Sequence, residues 1–579
     1  MSSLIKEPSH MKKLLKSFLC LSLLTVVAVQ ADCETTCTSI FNPHSAGTNI
    51  VRQASYNNYR FGEDCFYSDF SISGRFQKSR QAGRIANSMF GDNTLHFQGS
   101  SVAAADKVAT SLLADNFGLG KDTDAKISFA PKIKNYVVDT QLFLGLDEIY
   151  EGLFAQINIP FVHTKWEINE TVDGNVGTAN FAAGEMNKIA DGELAPHDNF
   201  TNALNGKALG AIEAWEYGKF NLGKCNDDKA VADLSAKLGL NFYECPDYHV
   251  GAFVRTSAPT GTKRDKKYAN NLFNAAAGMD HWTLGAGLTG HAELYNCNDE
   301  HMINAYFEGY LAHGFKRCQV RTFDLKDKGC LNRYMLLKEF NADNTATGNV
   351  VSGTKFGTRN TDVSIGAFGE ATLELVYDNS CGFSAGAGAA LWGQKCETLE
   401  IKDAVADLGD NKYGIKGTEY VEALLYNVDG VGDVTAGEET RFLVSTQNDA
   451  TINKAGTTDN ANALGSQDND ANFYSVDGGT VVVNDSLSEA ATIDGDGNID
   501  NDATNQPVTL ANKEATFAKD SGRTPSQLSG KVFGHLGYEW TDCDYAPSLR
   551  LGGEVEFSSK ERAATMNSAA FFIEGGVSF

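Results

Sequence analysis

Gly382, Ser384 and Gly386 reproduce the Gly-x-Ser-x-Gly spacing that, in hydrolases, exposes a serine nucleophile on a sharp strand-to-helix turn. Here the serine sits in Gly-Phe-Ser-Ala-Gly-Ala-Gly-Ala-Ala-Leu, which alternates like a strand and is followed by no amphipathic helix, so Ser384 reads as sheet. Asp494, Asp496, Asn498 and Asp500, spaced by Gly495 and Gly497, match the middle of a calcium loop, in which carboxylates wrap a hard cation. Thr492 stands where the first Asp belongs and Ala503 where the closing Glu belongs, which leaves a weak calcium candidate or an acidic surface turn. His291 and His535 share strand faces with charged residues, and no second His or Cys stands at metal spacing beside either. A zinc helix, a phosphate loop and a dinucleotide fingerprint are all missing. The expectation is a protein with no enzymatic role, no cofactor and no other metal site.

The residues that do form sets are those of alternating segments. At the C-terminus Phe571, Ile573, Gly575, Val577 and Phe579 share one face, and Phe572, Glu574, Gly576 and Ser578 share the other. Before them Leu549, Leu551, Val555 and Phe557 oppose Arg550, Glu554 and Glu556, and Val532, Leu536, Tyr538 and Trp540 oppose Lys531, His535 and Glu539. Segments 66–76, 153–161, 234–242, 282–294, 303–311, 363–377 and 383–391 repeat the pattern, and 127–144, 207–222, 248–256 and 413–425 follow it less cleanly. Runs of about 9–11 alternating residues are what a tilted strand needs to cross a bilayer, whereas ordinary strands are nearer 5 or 6. The reading is all-β: a transmembrane antiparallel up-and-down barrel of about 14–16 strands with long extracellular loops and a short helical segment. Arg75, Gln77, Lys531, His535, Glu539, Arg550, Glu554 and Glu556 would then line a hydrated lumen, since a barrel much smaller would fill with side chains.

Lys12, Lys13 and Lys16 precede an uncharged run closed by Val-Gln-Ala, so residues 1–31 read as a signal peptide, with Met11 a second candidate start. Neither Cys20 nor Cys33 follows a small residue, so no lipid anchor is expected. After Ala31 no apolar run is long enough for a membrane helix. A net charge of −25 argues against nucleic-acid partners. Residues 429–529 hold 17 acids against 5 bases, and their Asp, Asn, Gly, Thr and Ser content suits a long acidic extracellular loop. Twelve cysteines, eleven of them beyond the signal, fit an oxidising compartment and disulfides. Residues 32–65 read as a periplasmic extension ahead of a barrel at 66–579. Within it, segment 84–118 has helical spacing at Val102, Ala105, Val108 and Leu112, which suits a helical loop or a lumen constriction.

A terminal Phe preceded by apolar residues at alternate positions resembles the C-terminal signature of outer-membrane β-barrel proteins of Gram-negative bacteria, in which the last strand is the insertion signal. The resemblance implies that Phe571, Ile573, Val577 and Phe579 carry that signal to the barrel-assembly machinery and then face outer-membrane lipid. The whole chain looks like a porin, and DYHVGAFVRTSAPTGT at 247–262 and NRYMLLKEF at 332–340 resemble porin-like barrels of intracellular bacteria. If Phe579 ends in the periplasm, strand parity puts 542–546 and 147–151 in short inner turns and 84–118, 169–205, the stretch before Gly530 and 558–568 outside. The functional expectation is a passive channel for ions or small hydrophilic solutes, with a homo-oligomer left open. The alternative is a structural or adhesive surface barrel, cross-linked by disulfides.

Overall fold

The computed structural model describes residues 37–48, 67–182, 185–186, 192–342, 346–417, 446–456, 508–540, 545–558 and 566–579, with short strands inside 421–500. Twelve long strands form one ring: β1 (Tyr67–Ser79), β2 (Lys132–Gly145), β3 (Leu153–Glu167), β4 (Leu234–Cys245), β5 (Tyr248–Ala258), β6 (Thr283–Cys297), β7 (His301–Thr322), β8 (Thr358–Asn379), β9 (Phe383–Gln394), β10 (Gln527–Glu539), β11 (Ala546–Ser558) and β12 (Ser568–Ser578). Each pairs antiparallel with its neighbours in chain order, and β12 returns to β1 with Asp69 opposite Ser578 and Ser79 opposite Ser568. Closure leaves no free edge, which a strand in hydrocarbon cannot afford.

Burial across the wall is inverted relative to a water-soluble sheet. On β1 Phe70, Ile72 and Phe76 point outward at 39%, 45% and 41% exposure, while Ser71, Ser73, Arg75 and Gln77 point inward and are buried. Every ring strand carries at least one exposed large apolar residue, among them Val138, Ile157, Leu238, Val254, Leu284, Leu311, Leu375, Phe383, Leu536, Leu551 and Ile573. A Leu or Phe left in water forgoes roughly 1.5–3 kcal/mol. A belt of them on all sides would outweigh a typical folding stability of about 5–15 kcal/mol, so lipid must surround the ring. Tyr243, Tyr295, Trp540, Tyr545 and Phe579 stand exposed near the inner rim, where an aromatic girdle meets the headgroups.

Connections follow parity. Strands join at one end through 146–152, 246–247, 298–300, 380–382 and 540–545, and at the other through 80–131, 168–233, 259–282, 323–357, 395–526 and 559–567. The long connections fold together into a cap with a shared apolar core that includes Phe90, Phe97, Phe129, Phe220, Phe273, Tyr334, Phe356 and Tyr413. Leu336–Phe340 pairs there with Ala346–Ser352 and Lys412–Ile415. Strands β7 and β8, at 22 residues each, run beyond the length a membrane needs and carry the wall up into this cap.

Three expectations change. The ring has twelve strands in place of about 14–16. All ten cleanly alternating segments belong to it, as do 132–144 and 248–256, whereas 207–222 and 413–417 lie in the cap, where loop packing imitates alternation. The helical spacing in 84–118 is not realised at Val102, Ala105, Val108 and Leu112. The Gln98 side chain donates to the Asp106 carbonyl and accepts from the Val108 amide, and Asp115 accepts from the Ser100 amide, so side chains hold the backbone in turns. The helix lies at Ala82–Phe90, with Ile85, Met89 and Phe90 in the cap core. Finally, 37–48, expected below the barrel as part of 32–65, runs inside it. Lumen side chains such as Arg75 and Gln527 satisfy its backbone carbonyls, which sequence alternation does not reveal.

Candidate functional site

Among the described residues, buried charged side chains from many strands converge in the lumen. The inward positions foreseen from alternation all point there: Arg75, Gln77, Lys531, His535, Arg550, Glu554 and Glu556 are buried, and Glu539 is half-buried at the inner end of β10. The structure joins several into one network. Arg75 pairs with Glu554 at 3.0 Å, Lys531 reaches Glu554 at 3.4 Å, His535 meets Glu374 at 3.0 Å and Arg550 lies 3.7 Å from Glu574. Opposite them Lys237 pairs with Glu308, the Tyr310 hydroxyl donates to Glu370 at 3.1 Å, and the Arg255 guanidinium lies 4.3 Å over the Tyr310 ring. Glu308, Glu370, Glu374 and Lys237 sit on the inward face of segments already recognised as strands, so the same alternation would have found them.

Residues 37–48 occupy the space between these walls. His44 lies 2.5 Å from Glu370 on β8 and 3.1 Å from Glu556 on β11, and its ring stacks on Trp392 of β9 with centroids 4.6 Å apart. Arg75 donates to the Ala46 carbonyl, Gln527 to the Asn42 carbonyl at 2.8 Å, and Arg264 to the Asn42 side chain at 3.2 Å. The outer end of the segment is bonded covalently, since Cys37 forms a disulfide with Cys330 in the 323–357 connection. Cys396 is disulfide-bonded as well. No spacing rule links positions 37 and 330, so this pairing was invisible in the sequence.

Rings on the inward face of the wall fill more of the lumen. Tyr67, Phe143, Phe154, Phe253, Tyr310, Phe368 and Phe533 are buried in one cluster. Two glycines make room for them: a Cβ on Gly287 would lie 2.3 Å from the Phe253 ring, and one on Gly388 2.5 Å from the Phe533 ring. A small, partly open pocket remains beside the segment, lined by His44, Arg264, Tyr310, Phe368, Trp392 and Glu397 among others. The expected wide, water-filled lumen is therefore a packed one in this state. Twelve strands enclose less space than fourteen or sixteen, and the inserted segment takes up what is left.

Ser384 lies inward within β9, with no strand-to-helix turn. The calcium candidate Asp494, Asp496, Asn498 and Asp500 lies outside the described residues. Phe571, Ile573 and Phe579 are exposed and Val577 is partly exposed, all on the lipid side of β12.

Ring closure, an outward apolar belt, a polar interior and short turns against long loops occur together only where strands cross a membrane. The chain is an outer-membrane β-barrel. No family model matches it, and no curated protein does. Solved structures similar to it include an outer-membrane channel from Pseudomonas putida F1, 9% identical, with TM-score 0.32 over 90% of this chain and 100% of that one. A FadL homologue from Pseudomonas aeruginosa is 8% identical, with TM-score 0.24 over 89% and 90%. OprB from Pseudomonas putida, at high pH, is 8% identical, with TM-score 0.20 over 89% and 95%.

Proposed function

We propose that the barrel is an outer-membrane channel of a Gram-negative bacterium for ions or small hydrophilic solutes, and that residues 37–48 hold it shut in the state described. The reading rests on one observation above others. The lumen wall is built of charged and hydrogen-bonding side chains on nearly all its strands, and their partners include residues 37–48, which are not part of the wall. A barrel that served only as an anchor could fill its centre with apolar side chains and avoid the cost of burying ions, which is several kcal/mol per ion before pairing. Paired charges that a moving segment can expose are suited to wetting a pore and setting its ion preference. Insertion would follow recognition of the β12 face of Phe571, Ile573, Val577 and Phe579 by the assembly machinery.

Liposome swelling tests the solute class. Vesicles carrying the protein should swell in small sugars once His44→Ala loosens the segment, and little with the native chain. Vesicles that stay tight with both, while a control porin swells them, would contradict the proposal. A second reading, a cross-linked surface barrel, has the exposed thiols of Cys225 and Cys318 in its favour. Non-reducing gels of intact cells would then show ladders that collapse with thiol.

A further inference from the structure

Near the inner mouth of the barrel two imidazoles face each other. His249 is the second residue of β5 and His291 lies on β6, directly opposite it in the strand pairing. Both side chains point inward and are buried, with ring centroids 4.8 Å apart and Nδ1 to Nδ1 at 2.5 Å. The position is built: the pairing shifts register between Val250 and Gly251 on one side and between Glu293 and Tyr295 on the other, so bulges flank the pair. Such bulges re-aim side chains next to functional sites. The His291 ring stacks on Tyr306 at 5.8 Å and is hydrogen-bonded to the Pro246 carbonyl, the kind of support that orients a ligating imidazole.

We propose that His249 and His291 form a two-imidazole site for a divalent first-row transition cation such as Cu²⁺, Ni²⁺ or Zn²⁺ at the periplasmic mouth. Without metal, one Nδ1–H donates to the other Nδ1. With metal, both Nδ1 atoms ligate through their lone pairs, and the proton of the donating ring moves to its own Nε2, so both imidazoles stay neutral. Bond lengths of about 2.0–2.1 Å at a tetrahedral centre separate two nitrogens by about 3.3 Å, so the rings need part by less than about 1 Å. Opposed residues on paired antiparallel strands have Cβ atoms about 4.5–5.5 Å apart, a span two histidines can bridge through one ion. Imidazole nitrogen selects such cations over Mg²⁺ and Ca²⁺, which take oxygen ligands. Among the described residues no group of three His, Cys, Asp or Glu is placed to hold a metal, so water completes the shell and the site exchanges its ion readily. Sequence spacing hides the pair, because 42 positions and a change of strand separate its members.

Full-length folded protein titrated calorimetrically with CuCl₂, NiCl₂ and ZnCl₂ tests this. The expected result is one saturable cation per chain above the background set by the His249→Gln/His291→Gln double variant, weakened at least about tenfold in each single variant, and no response to MgCl₂. Heat-modifiable gel mobility reports whether the variants fold. If they do not, electron paramagnetic resonance of Cu²⁺ on the native protein decides, with two nitrogen donors expected. Single variants that bind as tightly as the native chain, or a Cu²⁺ signal with fewer than two nitrogens, would overturn the proposal. The test is independent of solute passage.

Discussion

Two buried residues of the cap show how single side chains hold it together. Arg333 is 1% exposed and donates from Nε and one terminal nitrogen to Asp324, both at 2.8 Å, while Asp324 also accepts from the amides of Arg333 and Leu331. Removing one partner of such a pair strands a buried charge, so Asp324→Ala should destabilise the cap by about 3–5 kcal/mol. Limited proteolysis should show cap cleavage at lower denaturant, with the barrel itself still resistant. Lys338 titrates unusually: burial, then the neighbouring Lys416, push its amine from 10.5 down to about 7. Between those values the unfolded chain binds a proton that the folded cap refuses, so stability rises with pH from about 7 upward, and the penalty is fully present below 7. Cap unfolding monitored from pH 7 to 9.5 should shift to higher temperature. A downward shift would contradict the burial of this amine.

At the scale of elements, strands were legible in the sequence because lipid outside and polar contacts inside enforce period two on every crossing. Arg75, Lys531, Glu554 and Glu556 could therefore be placed inward from their neighbours Phe76, Val532 and Val555 alone. Cap elements were not legible, because each loop is amphipathic only with respect to other loops: Phe97, Phe220 and Tyr334 meet through tertiary packing with no local period. Nor was the role of 37–48, which has neither repeat nor face and takes its place from His44, Asn42 and one disulfide. The outward face yields a direct check. Ile573→Arg on β12 should cost roughly 2–4 kcal/mol if the position is near the midplane, while Arg550→Lys, inward on the next strand, should cost much less. Folding titrations into bilayers would separate the two, and equal costs would mean the faces are assigned wrongly.

On the scale of the whole molecule, the protein is a twelve-stranded barrel with a cap above and an inserted segment within. The segment, held in place by Cys37–Cys330 and by His44, is the part whose displacement would open the lumen. The central claim is that it, and not the wall, prevents passage. Planar bilayer recordings test this most directly, comparing native protein with the Cys37→Ser/Cys330→Ser/His44→Ala variant after gel mobility has shown both to be folded. The account predicts rare, small openings for the native chain and a severalfold larger, sustained conductance for the variant; a folded variant as silent as the native protein would contradict it.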